Sequence, residues 1–296
     1  MDIRQIGLVG YGEVGSIFGA GLKDKPGIQG VSAWDLKFKD AAARTRATGN
    51  GIAAKESMAQ LCAGADLVIS AVTASNTLAV AQEAAPHLRA GTFFLDLNSA
   101  SPGTKQQAAA LIDKAGAHYV EAGVMTSVPP YGIKCPMLLG GLKARALAEA
   151  INAWGMDAKA VSDRLGVASA IKMSRSVMIK GLEALVIESY ATARQYGVEE
   201  YVIPTLQETY PGIDWTQQGA YLFSRVVQHG KRRAEEMREA ANTVREAGFD
   251  PFMASAIADK QQFVADCARD GVFEGLPKDA RWQDYADRLI KATQRA

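Results

Sequence analysis

Short apolar runs separated by polar, glycine-containing breaks fill the first half of the chain. The first run, "IGLVG", passes through "GYGEVG" into a helical pattern near Ser16 to Leu22. "GVSAWD", "DLVISAV", "TFFLDLN", "HYVEAGV" and "PMLLGG" follow as further strands, with helical periodicity in "ESMAQLCAGA", "GTKQQAAALIDKAG" and Lys143 to Trp154. Strands alternating with helices predict a parallel sheet covered on both faces, of roughly seven or eight strands by about Ser162.

The period changes after Gly166. "GVASAIKMSRSVMIKGLEALVIESYATAR", Gly166 to Arg194, reads as one long helix that is apolar nearly all round. The remainder is helical, broken at "YGVEEYVIP", "YPGID", "AGFDP" and "DGVFEGLPKD", and closes with an amphipathic helix from Gln283 to Arg295. This shift predicts an α/β Rossmann-type N-terminal domain over 1–163 and an all-α C-terminal domain over 164–296. No internal repeat or low-complexity segment interrupts either half.

Charge narrows the function classes. Thirty-three basic and thirty-two acidic residues among 296 leave a net charge of +1, with no basic block to serve a nucleic acid. The chain enters a strand directly at "MDIRQIGLVG" and has no apolar run of membrane-spanning length, so a cytoplasmic protein without membrane contact is expected. Cys62, Cys135 and Cys267 are far apart, as are His87, His118 and His229, and no metal site is expected.

Two features carry candidate chemistry. Gly10, Gly12 and Gly15 form GxGxxG between a strand and a helix, and Tyr11, Glu13 and Val14 complete the loop. The first glycine permits a tight turn and the second lets backbone approach a pyrophosphate; the third lets helix pack on strand. Asp35 ends the second strand 20 residues beyond Gly15, where a carboxylate would take the adenosine ribose hydroxyls. NAD is therefore the expected cofactor, while Lys37 and Lys39 stand near enough to keep NADP open. The second feature is Lys172, set in the apolar helix among Ala168, Ser169, Arg175 and Ser176 at helical spacing. An ammonium there needs partners or loses its proton, which suits a general acid or base, although a lysine snorkelling at a domain edge fits too. Farther on, His229, Arg232, Arg233 and Glu236 share one helix face, either solvated or turned toward a substrate.

Together the glycine loop, the late lysine helix and the order of the halves resemble the β-hydroxyacid dehydrogenase superfamily, which includes 3-hydroxyisobutyrate and 6-phosphogluconate dehydrogenases. The likeness spans nearly the whole chain. In that family a lysine opening the long helix is the catalytic acid/base, which the resemblance assigns to Lys172 in "GVASAIKMSRS". The family's asparagine four places later is Ser176 here. Its Asp-x-Ser-Thr segment is similar to "DLNSASP", which implies that Asn98 and Ser99 lie beside the nicotinamide ribose or the reacting carbon. Its Leu-Pro pair falls on Val72 and Thr73, implying that their backbone lines the cofactor groove. Three departures stand out. Met125, Thr126 and Ser127 replace the Ser-Gly-Gly that grips a carboxylate, and Ile179 stands where decarboxylating relatives have a glutamate. "HGKRRAEEM" replaces a Lys-Asp pair. The pattern is similar to the branch with a phosphogluconate-dehydrogenase-like C-terminal domain of unknown function.

The expected activity is hydride transfer between nicotinamide and the carbinol carbon of a small hydroxylated substrate, without decarboxylation. Met125, Thr126, Ser127, Arg175, Ser176, His229 and Arg233 join Ser99 as substrate-side candidates. An imine reductase acting on C=N and a non-catalytic nucleotide-binding protein are the rival readings. The long apolar helix has only about 130 residues after it to cover it, so a homodimer through the helical domain is expected. The resemblance implies the same assembly.

Overall fold

A computed structural model describes residues 2–294. The first apolar run becomes β1 (Gln5–Val9), with four of its five residues buried. A strand buried on both faces belongs in a parallel sheet covered by helices. The chain supplies these as α1 (Glu13–Leu22), β2 (Gly30–Trp34), α2 (Ala41–Gly49), β3 (Ala53–Ala54), α3 (Met58–Gly64), β4 (Leu67–Ser70) and α4 (Thr77–Ala84). There follow β5 (Phe93–Asp96), α5 (Pro102–Lys114), β6 (His118–Val124), β7 (Met137–Gly140), α6 (Ala144–Asn152) and β8 (Ala158–Ser162). These eight strands make one sheet in the order β3-β2-β1-β4-β5-β6-β7-β8, parallel throughout except where β7 runs against β6. The Rossmann-type arrangement expected from the alternation is the one formed.

Successive strand residues serve opposite cores, as a period of two requires. Leu8, Leu67, Ile69 and Leu95 pack with Phe18, Leu22 and Leu147 on one face. Val9, Val68 and Phe94 pack with Leu61, Ile112 and Tyr119 on the other. Strand order reverses between β1 and β4, and the segments following β1, β4, β5 and β6 leave the same carboxyl edge. Ligands of open α/β sheets bind at that edge, beside the reversal.

The chain divides into two compact units, the first ending at Ser174 and the second beginning at Arg175. From sequence the division falls at 163/164, where β8 ends. The first unit runs farther because the opening turns of α7 (Val167–Tyr196) are hydrogen-bonded to Glu121 of β6. The second unit contains the rest of α7, then α8 (Glu199–Thr209), α9 (Trp215–Glu246), α10 (Phe252–Arg269) and α11 (Trp282–Thr293). Its core joins Val186, Ile187 and Tyr190 to Phe223, Val226, Val264, Trp282 and Tyr285. Arg295 of the expected last helix lies outside the described residues.

One expectation needs correction. The break foreseen from Tyr196 to Pro204 narrows to Gly197 and Val198, and Pro204 lies inside α8. The hydrogen bond it deletes would have gone to the carbonyl of Glu200, an exposed residue on a helix with no buried positions, so the loss is met by solvent. In the single chain the long helix keeps apolar residues exposed, Met178 at 74% and Leu185 at 56%. Among the described residues no helix is long and apolar enough to cross a membrane.

Candidate active site

The glycine loop follows β1, and its three glycines differ in what a side chain would meet. Gly10 has φ +88°, and a Cβ there would lie 2.6 Å from the Ala71 carbonyl oxygen. A Cβ on Gly15 would come within 2.0 Å of the Gly10 carbonyl oxygen, so only glycine lets α1 pack this tightly. At Gly12 a Cβ would meet nothing within 4 Å, and α1 begins there without a side-chain cap. Open space over a helix N-terminus with uncapped N–H groups suits a pyrophosphate. The loop therefore fits a dinucleotide.

Asp35, directly after β2, braces that loop. Its Oδ2 accepts the Tyr11 N–H at 2.7 Å and its Oδ1 accepts the Lys37 N–H at 2.8 Å. Each oxygen keeps a further acceptor position. The Tyr11 ring is buried against Phe38, whereas Glu13 and the Lys37 and Lys39 side chains are exposed and Val14 is half-buried.

Beside the strand reversal, the segments after β4 and β5 are locked together. Asn98 accepts the Val72 N–H at 2.7 Å through Oδ1 and donates from Nδ2 to Ser70 Oγ at 2.9 Å. Its side chain is buried in these bonds, so it shapes the groove by fixing the Val72 backbone. The next residue, Thr73, is exposed and its Oγ1 accepts from Asn76 at 2.7 Å. Beneath Asn98 lies a charged group in the core. Asp96 Oδ1 accepts the Asn98 N–H at 2.8 Å and pairs with Lys105 Nζ at 3.0 Å, while Tyr119 donates its hydroxyl to Asp96 Oδ2 at 2.5 Å. Burial, and next the Asp96 carboxylate, hold the Tyr119 phenol well above its usual range.

Lys172 reaches this same edge. Its Nζ donates to Ser99 Oγ at 2.6 Å, and both residues are half-buried. The backbone leaves room for this approach at Gly123 of β6, where a Cβ would stand 3.0 Å from the Ala168 carbonyl and 3.4 Å from Lys172 Cβ. Two residues back on the same face, the fully buried Glu121 carboxylate accepts the N–H groups of Gly166, Ala168 and Ser169 and the Ser169 hydroxyl. In the segment after β6, Met125 gives its N–H to the Pro136 carbonyl at 2.9 Å, and the Thr126 carbonyl accepts from the buried Cys135 thiol at 3.6 Å. That thiol is raised by burial. Thr126 is exposed and Ser127 half-buried.

The remaining substrate-side candidates belong to the helical unit. Arg175 is exposed. Ser176 is buried and accepts from Lys180 Nζ at 3.3 Å, and Lys180 in turn pairs with Glu236 at 2.9 Å. Arg233 is buried too: its Nε donates to Glu183 Oε2 at 2.8 Å, a second donor reaches Oε1, and Gln261 adds a bond to Oε2 at 3.0 Å. Its guanidinium is thus bound to an internal carboxylate rather than extended as an open arm. His229, one turn earlier, is half-buried.

Sequence reasoning missed Glu121, Gly123, Lys105, Lys180 and Glu183. Their signal was a charge, or a gap, within an otherwise apolar strand or helix face.

A family model for the NAD binding domain of 6-phosphogluconate dehydrogenase matches residues 5–130, and one for a domain of unknown function (DUF1932) matches residues 193–264. The nicotinamide-dinucleotide loop, the sheet edge and this pair of domains define an oxidoreductase class, and the chain belongs to the β-hydroxyacid dehydrogenase superfamily. It is similar to a conserved hypothetical protein from Sinorhizobium meliloti 1021, at 39% identity over 98% of this chain and 97% of that one, with a TM-score of 0.78. The conserved protein MTH1747, of unknown function and described as structurally similar to 3-hydroxyacid dehydrogenases, is 30% identical over 90% of this chain and 98% of its own, with a TM-score of 0.69. The 3-hydroxyisobutyrate dehydrogenase of Mycobacterium tuberculosis, solved with L-serine, shares the fold at 18% identity, covering 97% and 99%, with a TM-score of 0.72.

Proposed function

We propose that the chain transfers a hydride between a nicotinamide dinucleotide and the carbinol carbon of a small hydroxylated substrate, with Lys172 as general acid/base. The observation that carries this is the 2.6 Å bond from Lys172 Nζ to Ser99 Oγ, made at the carboxyl edge of the sheet in the same compact unit as the glycine loop. When bound, nicotinamide supplies the hydride acceptor or donor at its C4. Gly10, Gly12 and Gly15 with the N-terminus of α1 would hold the pyrophosphate, Asp35 the ribose, and Val72 and Thr73 the groove wall.

Lys172 Nζ then accepts the substrate hydroxyl proton in oxidation and returns it in reduction. Ser99 Oγ supports this by holding the amine in one orientation before substrate arrives, so less ordering is left for the reaction itself. An alcohol suits the retained lysine better than an imine does. A lysine poised to exchange a proton with oxygen also argues against a protein that merely binds nucleotide. Decarboxylation lacks an acid on this helix at Ile179. The Met125 amide is bonded to Pro136, which argues for a substrate gripped through hydroxyl groups, including those of Thr126 and Ser127, rather than through a carboxylate on that amide.

The reading extends to the domains and the assembly. Residues 1–163 serve as the cofactor domain and 164–296 as the substrate and dimerisation domain, with Ser176, Arg175 and His229 on the substrate side. NAD is the cofactor of choice, because the Asp35 carboxylate repels a 2′-phosphate. Exposed Met178, Leu185, Tyr196 and Tyr201 form apolar surface on the helical unit, and a second copy of the chain is the cover it fits. Free Cys62, Cys135 and Cys267 accord with a reducing, cytoplasmic setting. A panel of hydroxyacids, diols and amines, followed by nicotinamide absorbance with NAD and NADP, tests the activity. Turnover of hydroxyl substrates supports it, and turnover of amines alone refutes it.

A further inference from the structure

We propose that Glu121 is a positioning residue that sets Lys172 through the first turns of α7. The inference rests on Lys172 being the proton-handling group, and it concerns how that amine is kept in place.

A helix start leaves N–H groups without intrahelical partners, and a carboxylate there satisfies them and complements the positive end of the helix dipole. Such caps come as a rule from the residue just before the helix. Here the cap comes from a strand: Glu121 Oε1 accepts the N–H of Gly166 at 2.8 Å and of Ala168 at 3.0 Å, while Oε2 accepts the Ser169 hydroxyl at 2.7 Å and its N–H at 3.4 Å. Gly140 makes space for this carboxylate, since a Cβ at that position would fall 2.4 Å from Oε1. The cap is fully buried, and the amine at Lys172 lies one turn beyond Ala168. Strand period two puts Gly123 on the same face as Glu121, directly against Lys172 Cβ. One strand therefore holds the helix start at Glu121 and admits the lysine at Gly123. The strand thus sets the point on the backbone from which Lys172 extends to Ser99.

The test reads Lys172 itself. The full-length protein is labelled with trace acetic anhydride, and the rate at each lysine is measured by peptide mass spectrometry in wild type, Glu121→Gln, Ser169→Ala and Gly123→Ala. Glu121→Gln turns an NH₂ toward donors that now face an acceptor and removes the charge that complements the positive end of the helix dipole. Both changes loosen the helix start and, with it, the amine. The Lys172 rate should rise about fivefold, the factor corresponding to a lost N-cap. Ser169→Ala should raise it less, and Gly123→Ala should raise it by pushing the lysine aside while leaving the carboxylate in place. Buried Lys105 and Lys180 should keep their wild-type protection in every variant. An unchanged Lys172 rate overturns the proposal. A rise shared by Lys105 and Lys180 in all three variants also overturns it, because Glu121 would then support the fold at large. Labelling does not depend on turnover. If Lys172→Ala proves fully active, the catalytic reading fails while the link between Glu121 and Lys172 is still measured.

Discussion

Replacing Lys105 with Ala removes the cation from a carboxylate that has no access to water. Lys105 and Asp96 are 0% and 1% exposed, and Nζ touches both Asp96 Oδ1 at 3.0 Å and the Asp96 carbonyl at 3.1 Å. The Tyr119 hydroxyl and the Asn98 N–H would remain on Asp96, but neither brings a compensating charge. Breaking one side of a buried pair costs about 3–5 kcal/mol, more than the lost methylenes alone would explain. For a unit of this size that corresponds to a fall in Tm of roughly 6–20 °C. The assay is calorimetry of the full chain, with cofactor binding measured in parallel. Because Asp96 also orients Asn98, and Asn98 holds the Val72 backbone, cofactor affinity should weaken even well below the new Tm. The double variant Lys105→Met with Asp96→Asn removes the orphaned charge and should recover more than half of the loss. A single variant that melts within about 2 °C of wild type would refute the reasoning, since the pair would then contribute under about 1 kcal/mol.

Gly12→Ala should fold with an unchanged Tm yet bind NAD at least about tenfold more weakly in titration calorimetry, because its Cβ meets only the space assigned to the pyrophosphate. Gly15→Ala should instead lower Tm, its Cβ meeting the Gly10 carbonyl. Asp35→Ala should narrow the affinity gap between NAD and NADP; tighter NADP binding by the unmodified protein would contradict the assignment of Asp35. Burial pushes the Cys62 thiol up to about 12 from 9.0 in the unfolded chain. Stability from this group is complete below pH 9 and lost as pH climbs toward about 12, by at most about 1.4 kcal/mol per pH unit, which denaturant melts of Cys62→Ala and wild type across that range would detect. Sedimentation at low micromolar concentration should show about twice the 31.5 kDa chain mass, and an active monomer would contradict the dimer.

What could be read from sequence follows the range of the interactions. The strands of the first unit are continuous apolar runs, and the glycine loop is a motif spelled out within six residues, Gly10 to Gly15. Both are legible without a partner. Lys172 stood out as a charge in an apolar helix, but its contact with Ser99 spans 73 residues, and only the family resemblance set Ser99 near the reacting carbon. Glu121 caps a helix 45 residues downstream, and no periodicity within "HYVEAGV" could reveal that. Arg233 illustrates a different limit. Helical spacing assigned it a face shared with His229, but whether that face turns inward depended on Glu183, 50 residues away. Pro204 was read as a break because local propensity opposes it within a helix, and on an exposed helix that penalty is tolerable.

The most direct test of the central claim is the rate of hydride transfer in Lys172→Ala against wild type, followed by nicotinamide absorbance on a hydroxyl substrate found by the panel, with cofactor affinity measured on the same samples. Loss of a general acid/base predicts a fall in kcat of about two to four orders of magnitude with cofactor affinity unchanged. Near-normal turnover in Lys172→Ala would contradict the account.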